Sequence, residues 1–198
     1  MAGRVRRVNA FEYAVALWGI LMGLAVADLI LSANRLVRHA DGVRWDGRAL
    51  VATGLIALEL VRMWFAQWSL TTFETALSFP VFLALCGQVV LLVFVASAAL
   101  PGETPGLIDL TAHYERNRRT FWGLFAACQT VYFVMWLTFF AGSVDGSAPA
   151  SALDWFRILG PLALYLTLAT VRLKWLDWIG PLGLMVFYLW LYRGQSIG

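Results

Sequence analysis

Histidine occurs twice in the 198 residues, cysteine twice and lysine once, and each shortage closes off a chemistry. His39 and His113 both fall in connections between apolar runs, whereas a haem or chlorophyll held between membrane spans takes an axial histidine from inside one. Cys86 and Cys128 lie within apolar runs and read as small hydrophobes instead of a disulfide or a metal site. Lys174 stands at the end of an apolar run, which does not suit a retinal Schiff base in a buried pocket. No HExxH, GxSxG, P-loop or paired-cysteine pattern occurs. The reading therefore names no catalytic residue, no metal ligand and no cofactor. Charge is scarce too: 14% of the residues are charged, against about 25% in soluble domains. The net charge of +3 is too small to point to nucleic acid.

What fills the chain is apolar surface. Hydrophobic residues make up 61% of the sequence and the mean hydropathy is +0.72, which places the chain among integral membrane proteins with no room for a separate soluble domain. A bilayer core of about 30 Å takes a helix of roughly 20 apolar residues. Runs of that order lie at 11–36, 50–70, 78–100, 120–141, 152–171 and 175–192. The expectation is a single all-α domain over 1–198, a polytopic bundle of six transmembrane helices. The first run is too long for a signal peptide and has no small-residue cleavage site after a short core, so it reads as retained. Ser78 and Pro80 open the third run as a cap and an early-turn proline. Asp109 is placed to cap a short helix, LTAHYERNRRTFW, that flows into the fourth.

Leu50 to Leu70 is the stretch around which the rest is arranged. It is long and apolar enough to span, yet it carries Glu59 near its middle and Arg62 three residues on. A charge at mid-bilayer costs from about 2.5 to more than 10 kcal/mol, depending on the scale. Residues three apart share a helix face, so the two side chains can neutralise each other, and they must then face other helices or a wet cavity. Three readings stay open for the pair: an internal ion pair that fixes helix register, a proton or ion relay, or a docking point for a partner. Gln88 and Gln129 fall near the Glu59 level if helices 2, 3 and 4 pack together, either lining a narrow route or forming a satisfied hydrogen-bond network. Asp28 lies roughly 9 Å from the polar end of the first run at 1.5 Å per residue, within reach of water or of Arg35, Arg38 or Arg116. Gly19, Gly23 and Ala27 form a small-residue stripe that suits close packing of helix 1 on helix 2.

The run from His113 to Arg119 is the other polar cluster. Glu115 and Arg119 have the spacing of an exposed helical pair. His113, Arg116, Arg118 and Arg119, beside Tyr114 and Trp122, suit contact with anionic headgroups or with a phosphate-bearing ligand. Asp154-Trp155 before Gly160-Pro161-Leu162 is echoed by Asp177-Trp178 before Gly180-Pro181-Leu182; inverted repeats of this sort occur in transporters, and shared span-opening grammar explains the echo as well. Orientation follows from the basic residues. The first, third and fifth connections carry Arg38, Arg44, Arg48, Arg116, Arg118, Arg119, Arg172 and Lys174, while the second and fourth carry none. Odd-numbered loops are therefore expected in the cytoplasm and both termini outside, although Arg4, Arg6 and Arg7 pull the other way.

The opening FEYAVALWGILMGLAVADLILSANRL, the Trp-rich second span, Pro101 after the third and HYERNRRTFWGL before the fourth resemble a group of short proteobacterial multi-span proteins. The shared features are the Phe-x-Tyr start, a Gly-Leu-x-x-x-Asp-Leu first span and an Arg-Leu exit. The resemblance implies a bacterial inner-membrane location and no particular activity. The function expected is a non-enzymatic membrane component: an accessory or assembly partner in a larger membrane complex, or a homo-oligomer, in contact with the lipid bilayer. The alternative is a small channel or proton-coupled transporter using Asp28, Glu59, Arg62 and Gln129. An integral-membrane enzyme with a cytoplasmic site around His113, Glu115 and Arg116 comes third.

Overall fold

Long apolar runs fold as helices because a helix satisfies its own backbone hydrogen bonds without water, and the computed structural model describes residues 10–70, 79–102, 107–135, 137–138 and 152–193. Six α-helices appear among them: α1 (Ala10–Arg38), α2 (Gly47–Leu70), α3 (Phe79–Ala99), α4 (Leu110–Met135), α5 (Ala152–Thr170) and α6 (Leu176–Tyr192). The basic N-terminal tail, the second and fourth connections and Ser78 lie outside the described residues, as does the last part of the expected fourth span.

Among the described residues the chain is all-helical apart from a two-residue bridge, and three of those helices are long and apolar enough to cross a membrane. They comprise Val15–Arg38, Gly47–Ala66 and Phe79–Ala99, with hydropathies of 2.1, 1.7 and 2.5. Among the described residues the other three do not reach that measure. The first turns of α4 carry His113, Glu115, Arg116, Arg118 and Arg119, and the apolar parts of α5 and α6, Trp155–Thr170 and Leu176–Tyr192, are shorter. The short helix expected before the fourth span is continuous with it in α4, and Asp109 Oδ1 caps its start by accepting from the Ala112 N–H at 2.9 Å.

Contacts between helices fix their directions. Trp18 meets Cys86 and Asp28 meets Ser97, so α1 and α3 run parallel. Gln129 meets Ile158 and Arg118 meets Val171, so α4 and α5 are antiparallel. The α5–α6 pair is antiparallel too, with Tyr165 on Tyr188 and Leu168 against Gly180. Gly47 lies under Trp178 and Arg62 reaches Tyr192, so α2 and α6 run parallel. The ends of α1, α3 and α5 and the starts of α2, α4 and α6 thus gather at one end of the bundle. A two-residue parallel bridge ties that end together, β1 (Val43–Arg44) on β2 (Ile108–Asp109), with Val43 opposite Ile108.

The core follows from the buried face of each helix. On α1 that face is Trp18, Met22, Ala25, Leu29 and Leu36, the three-and-four spacing of one helical stripe. Between α4 and α5, Trp122, Phe125 and Tyr165 stack with centroids 4.9 to 6.1 Å apart. Two glycines permit close approach. A methyl at Gly180 would meet the Leu168 side chain at 3.2 Å, and one at Gly47 would run into the Trp178 ring.

The small-residue stripe does not behave as its spacing suggests. Gly19 faces the Trp64 ring of α2, but nothing lies within 4 Å of a methyl placed at Gly23, and Ala27 is exposed. The reason is the position of the bulky face: α1 turns Trp18, Met22 and Ala25 inward, which swings Gly23 and Ala27 to the outside. The Gly-Pro echo is not matched in register either. Pro161 is the tenth residue of α5 and Pro181 the sixth of α6.

Candidate functional site

Two polar clusters stand inside the bundle. The first is centred on α2. Arg62 Nε donates to Glu59 Oε2 at 2.7 Å and Nη2 donates to Oε1, the bidentate geometry that makes arginine–carboxylate pairs strong. Both side chains are turned inward, at 4% and 9% exposure. The third contact of the guanidinium is with α6: Nη1 donates to the Tyr192 hydroxyl at 3.2 Å, and the group lies 5.1 Å from the Tyr188 ring centre. Tyr188 shares a hydrogen bond of 3.1 Å with Tyr165 of α5.

Of the other residues expected in this layer, Gln88 is brought in and Gln129 is turned aside. Gln88 is buried, and its carbonyl accepts from Cys128 Sγ at 3.9 Å. Gln129, next along α4, faces α5 and donates from Nε2 to the Ile158 carbonyl at 3.2 Å, as an isolated glutamine among helices does when satisfied. Asp28 belongs elsewhere. It accepts from Ser97 Oγ at 2.6 Å, nine residues beyond Gln88 on α3 and so about 14 Å away along the helix. None of the arginines considered as its partners is the group it meets.

The second cluster closes the end of the bundle tied by β1 and β2. Arg118 of α4 donates from Nε to Asp177 Oδ1 of α6 at 3.0 Å and from Nη2 to the Val171 carbonyl that follows α5. Arg48, in the first turn of α2, binds Asp46 at 2.7 Å and Glu115 of α4 at 2.7 Å, and its Nη1 is 3.9 Å from Asp177 Oδ2. Tyr114 accepts from Trp122 Nε1 at 3.2 Å, and its ring lies 5.4 Å from the Arg48 guanidinium carbon. Burial pushes the Tyr114 hydroxyl up to about 12. Burial alone would raise the Asp46 carboxyl, but the side chain and backbone N–H of Arg48 hold it below the ordinary carboxylate value.

This clamp corrects two expectations. Arg118 does not reach toward headgroups; at 3% exposure it is locked between Asp177 and the Val171 carbonyl, while Arg116 and Arg119 on the same helix are exposed. Glu115 pairs with Arg48 of α2, not with Arg119 one turn away. His113 is half-buried in the α3–α4 seam. Its Nε2 donates to the Ala98 carbonyl at 3.2 Å and Nδ1 accepts from Asn117 Nδ2 at 3.2 Å, a neutral ring whose pKa burial lowers.

Sequence reasoning missed Asp46, Arg48 and Asp177 as a unit. Asp46 reads as part of an Asp-Gly turn, and Asp177 as part of a repeat. Asp177 stands at the start of α6 just after Arg172 and Lys174, so no local signal pointed to Arg118 or Arg48 as its partners. Among the described residues no group of three or more His, Cys, Asp or Glu side chains is placed to hold a metal ion.

Fold and clusters define, among the described residues, an all-helical protein with three helices long and apolar enough to cross a membrane and two internal charge networks. No family model, no curated protein and no solved structure matches the chain.

Proposed function

We propose that the chain is a six-span bundle of a bacterial inner membrane and a non-enzymatic component of a larger membrane assembly or homo-oligomer. One observation carries the reading. The buried charges are consumed in pairs and triads within the bundle, while the outward side of α1 presents Ile20, Leu24, Ile30 and Leu31 around the open positions Gly23 and Ala27. Charges locked in bidentate pairs set helix register, and small residues among large apolar ones suit a neighbouring helix. The alternating helix directions and the gathering of Arg48, Arg116, Arg118, Arg119, Arg172 and Lys174 at one end support six crossings with that end cytoplasmic.

Purification of the full chain in mild detergent tests the role. A stoichiometric companion or a defined oligomer is the expected result, and a monomer without companions counts against it. Reporter fusions in each loop test the crossings.

A small channel or proton-coupled transporter is the second reading. It is favoured by the continuous polar contacts from Tyr192 through Arg62 and Glu59 and by the neighbouring Tyr188–Tyr165 pair. Proteoliposome flux that depends on pH and disappears in a folded Glu59→Gln variant would establish it over the assembly role.

A further inference from the structure

Between the second half of α2 and the end of α6 lies an open groove of about 250 Å³. Its body is apolar, walled by Leu58 and Val61 of α2 and Leu189 of α6, with Phe65 near the mouth. Val61 and Leu189 are each more than half exposed. The mouth is basic, formed by Arg62, Tyr192 and Arg193.

Arg62 is neutralised by Glu59, so the unbalanced charge at the mouth is that of Arg193, while Arg62 adds spare donors. A guanidinium has five N–H donors; in Arg62, Glu59 takes two and Tyr192 one, which leaves two. Arg193 stacks on the Trp190 ring at 5.5 Å, and among the described residues no carboxylate lies within 4 Å of it. The net positive charge thus sits at the open end of an apolar channel. Depth fits the same picture. The 17 residues of α6 rise about 25 Å from the charged clamp, close to the roughly 30 Å of a hydrocarbon core. Arg193 therefore stands at the interface opposite the clamp, with Leu58 lying deeper. The volume is below the roughly 300–1,000 Å³ of sites that enclose a whole small molecule, so the groove suits one stretch of a longer molecule.

We propose that this groove binds an anionic phospholipid of the leaflet opposite the charged clamp. Arg193 and the spare N–H groups of Arg62 hold the phosphate, and one acyl chain lies between Val61 and Leu189 down to Leu58. The inference takes the depth of Arg193 from the six-span reading and is independent of the assembly role.

Native mass spectrometry of the full chain in mild detergent, titrated with dioleoyl phosphatidylglycerol or dioleoyl phosphatidylethanolamine, tests it. The expected result is retention of phosphatidylglycerol about fivefold above phosphatidylethanolamine, roughly the effect of one interfacial arginine. Arg193→Gln should abolish the preference, and Val61→Trp, which fills the groove from an exposed position, should lower retention of both lipids. Thermal unfolding of both variants should match wild type, since neither side chain is in the core. Equal retention of the two lipids overturns the proposal, as does a preference that survives Arg193→Gln but falls in Arg116→Gln/Arg119→Gln at the other end. Val61→Trp without effect, or a polypeptide bound in place of lipid, also overturns it. A reporter placed after Arg193 that lands on the same side as Lys174 counts against the six-span reading, whereas a wild-type chain that retains both lipids equally counts against the groove.

Discussion

Arg118 and Asp177 are 59 residues apart in the chain and 3.0 Å apart in space, both almost fully buried. They join α4 to α6, and the same guanidinium holds the carbonyl of Val171 at the end of α5, so one side chain pins three helices.

Removing the acid should therefore cost more than the pair contributes. A buried cation left without its partner typically destabilises by about 3–5 kcal/mol, whereas replacing both charges by apolar groups of similar volume is often near neutral. Asp177→Ala should lower the unfolding midpoint in detergent sharply, and Arg118→Met/Asp177→Leu should recover a large part of the loss. A double variant as unstable as the single one would show that the Val171 contact, not the ion pair, dominates.

The pair at Glu59 and Arg62 should follow the same logic with a different readout. Glu59→Gln keeps one acceptor for the Arg62 guanidinium but removes the countercharge, leaving a buried cation unneutralised, again at about 3–5 kcal/mol. Folded yield should fall in Glu59→Gln and rise again in Glu59→Gln/Arg62→Gln, measured by monodisperse recovery on size exclusion.

Two glycines should separate packing from surface. Gly180→Ala drives a methyl to within 3.2 Å of Leu168, which is itself fully buried, and overpacking of this kind costs about 1–3 kcal/mol. Gly23→Ala meets nothing within 4 Å, so the isolated chain should unfold as wild type does. Gly23→Leu should reduce association with companions or copies without lowering the unfolding midpoint; unchanged association would remove α1 from the interface.

Acid should weaken the α3–α4 seam through His113. Burial lowers its folded pKa below the ordinary 6.5, so the unfolded chain binds the proton more readily. The stability that the neutral ring contributes is present above about 6.5 and is lost as pH falls from there toward the folded value. Unfolding midpoints should drop between about pH 7 and pH 5, and His113→Gln should flatten that slope.

The helices were largely legible because apolar periodicity and the turn residues agree. The expected limits of 11–36, 50–70, 152–171 and 175–192 lie within a few residues of the helices formed. Glu59 and Arg62 were legible as a site because their spacing of three makes the pair local. The end clamp was not, since Arg48 could be matched to Glu115, and Arg118 to Asp177, only by knowing that α2, α4 and α6 start at the same end. Glu115 shows the limit plainly. Its near neighbour Arg119 offered a sufficient local partner, and the contact with Arg48 depends on helix rotation that composition does not encode. The stripe at Gly19, Gly23 and Ala27 failed for the same reason, because Trp18 and Met22 decide which side of α1 turns inward.

Because Asp177 is carried by α6, the clamp can close only after α6 has been made. A chain stopped after α5 would hold Arg118 without its carboxylate and Arg48 without its more distant one. Until α6 docks, Arg118 therefore stands without its carboxylate at the end where the basic loops lie.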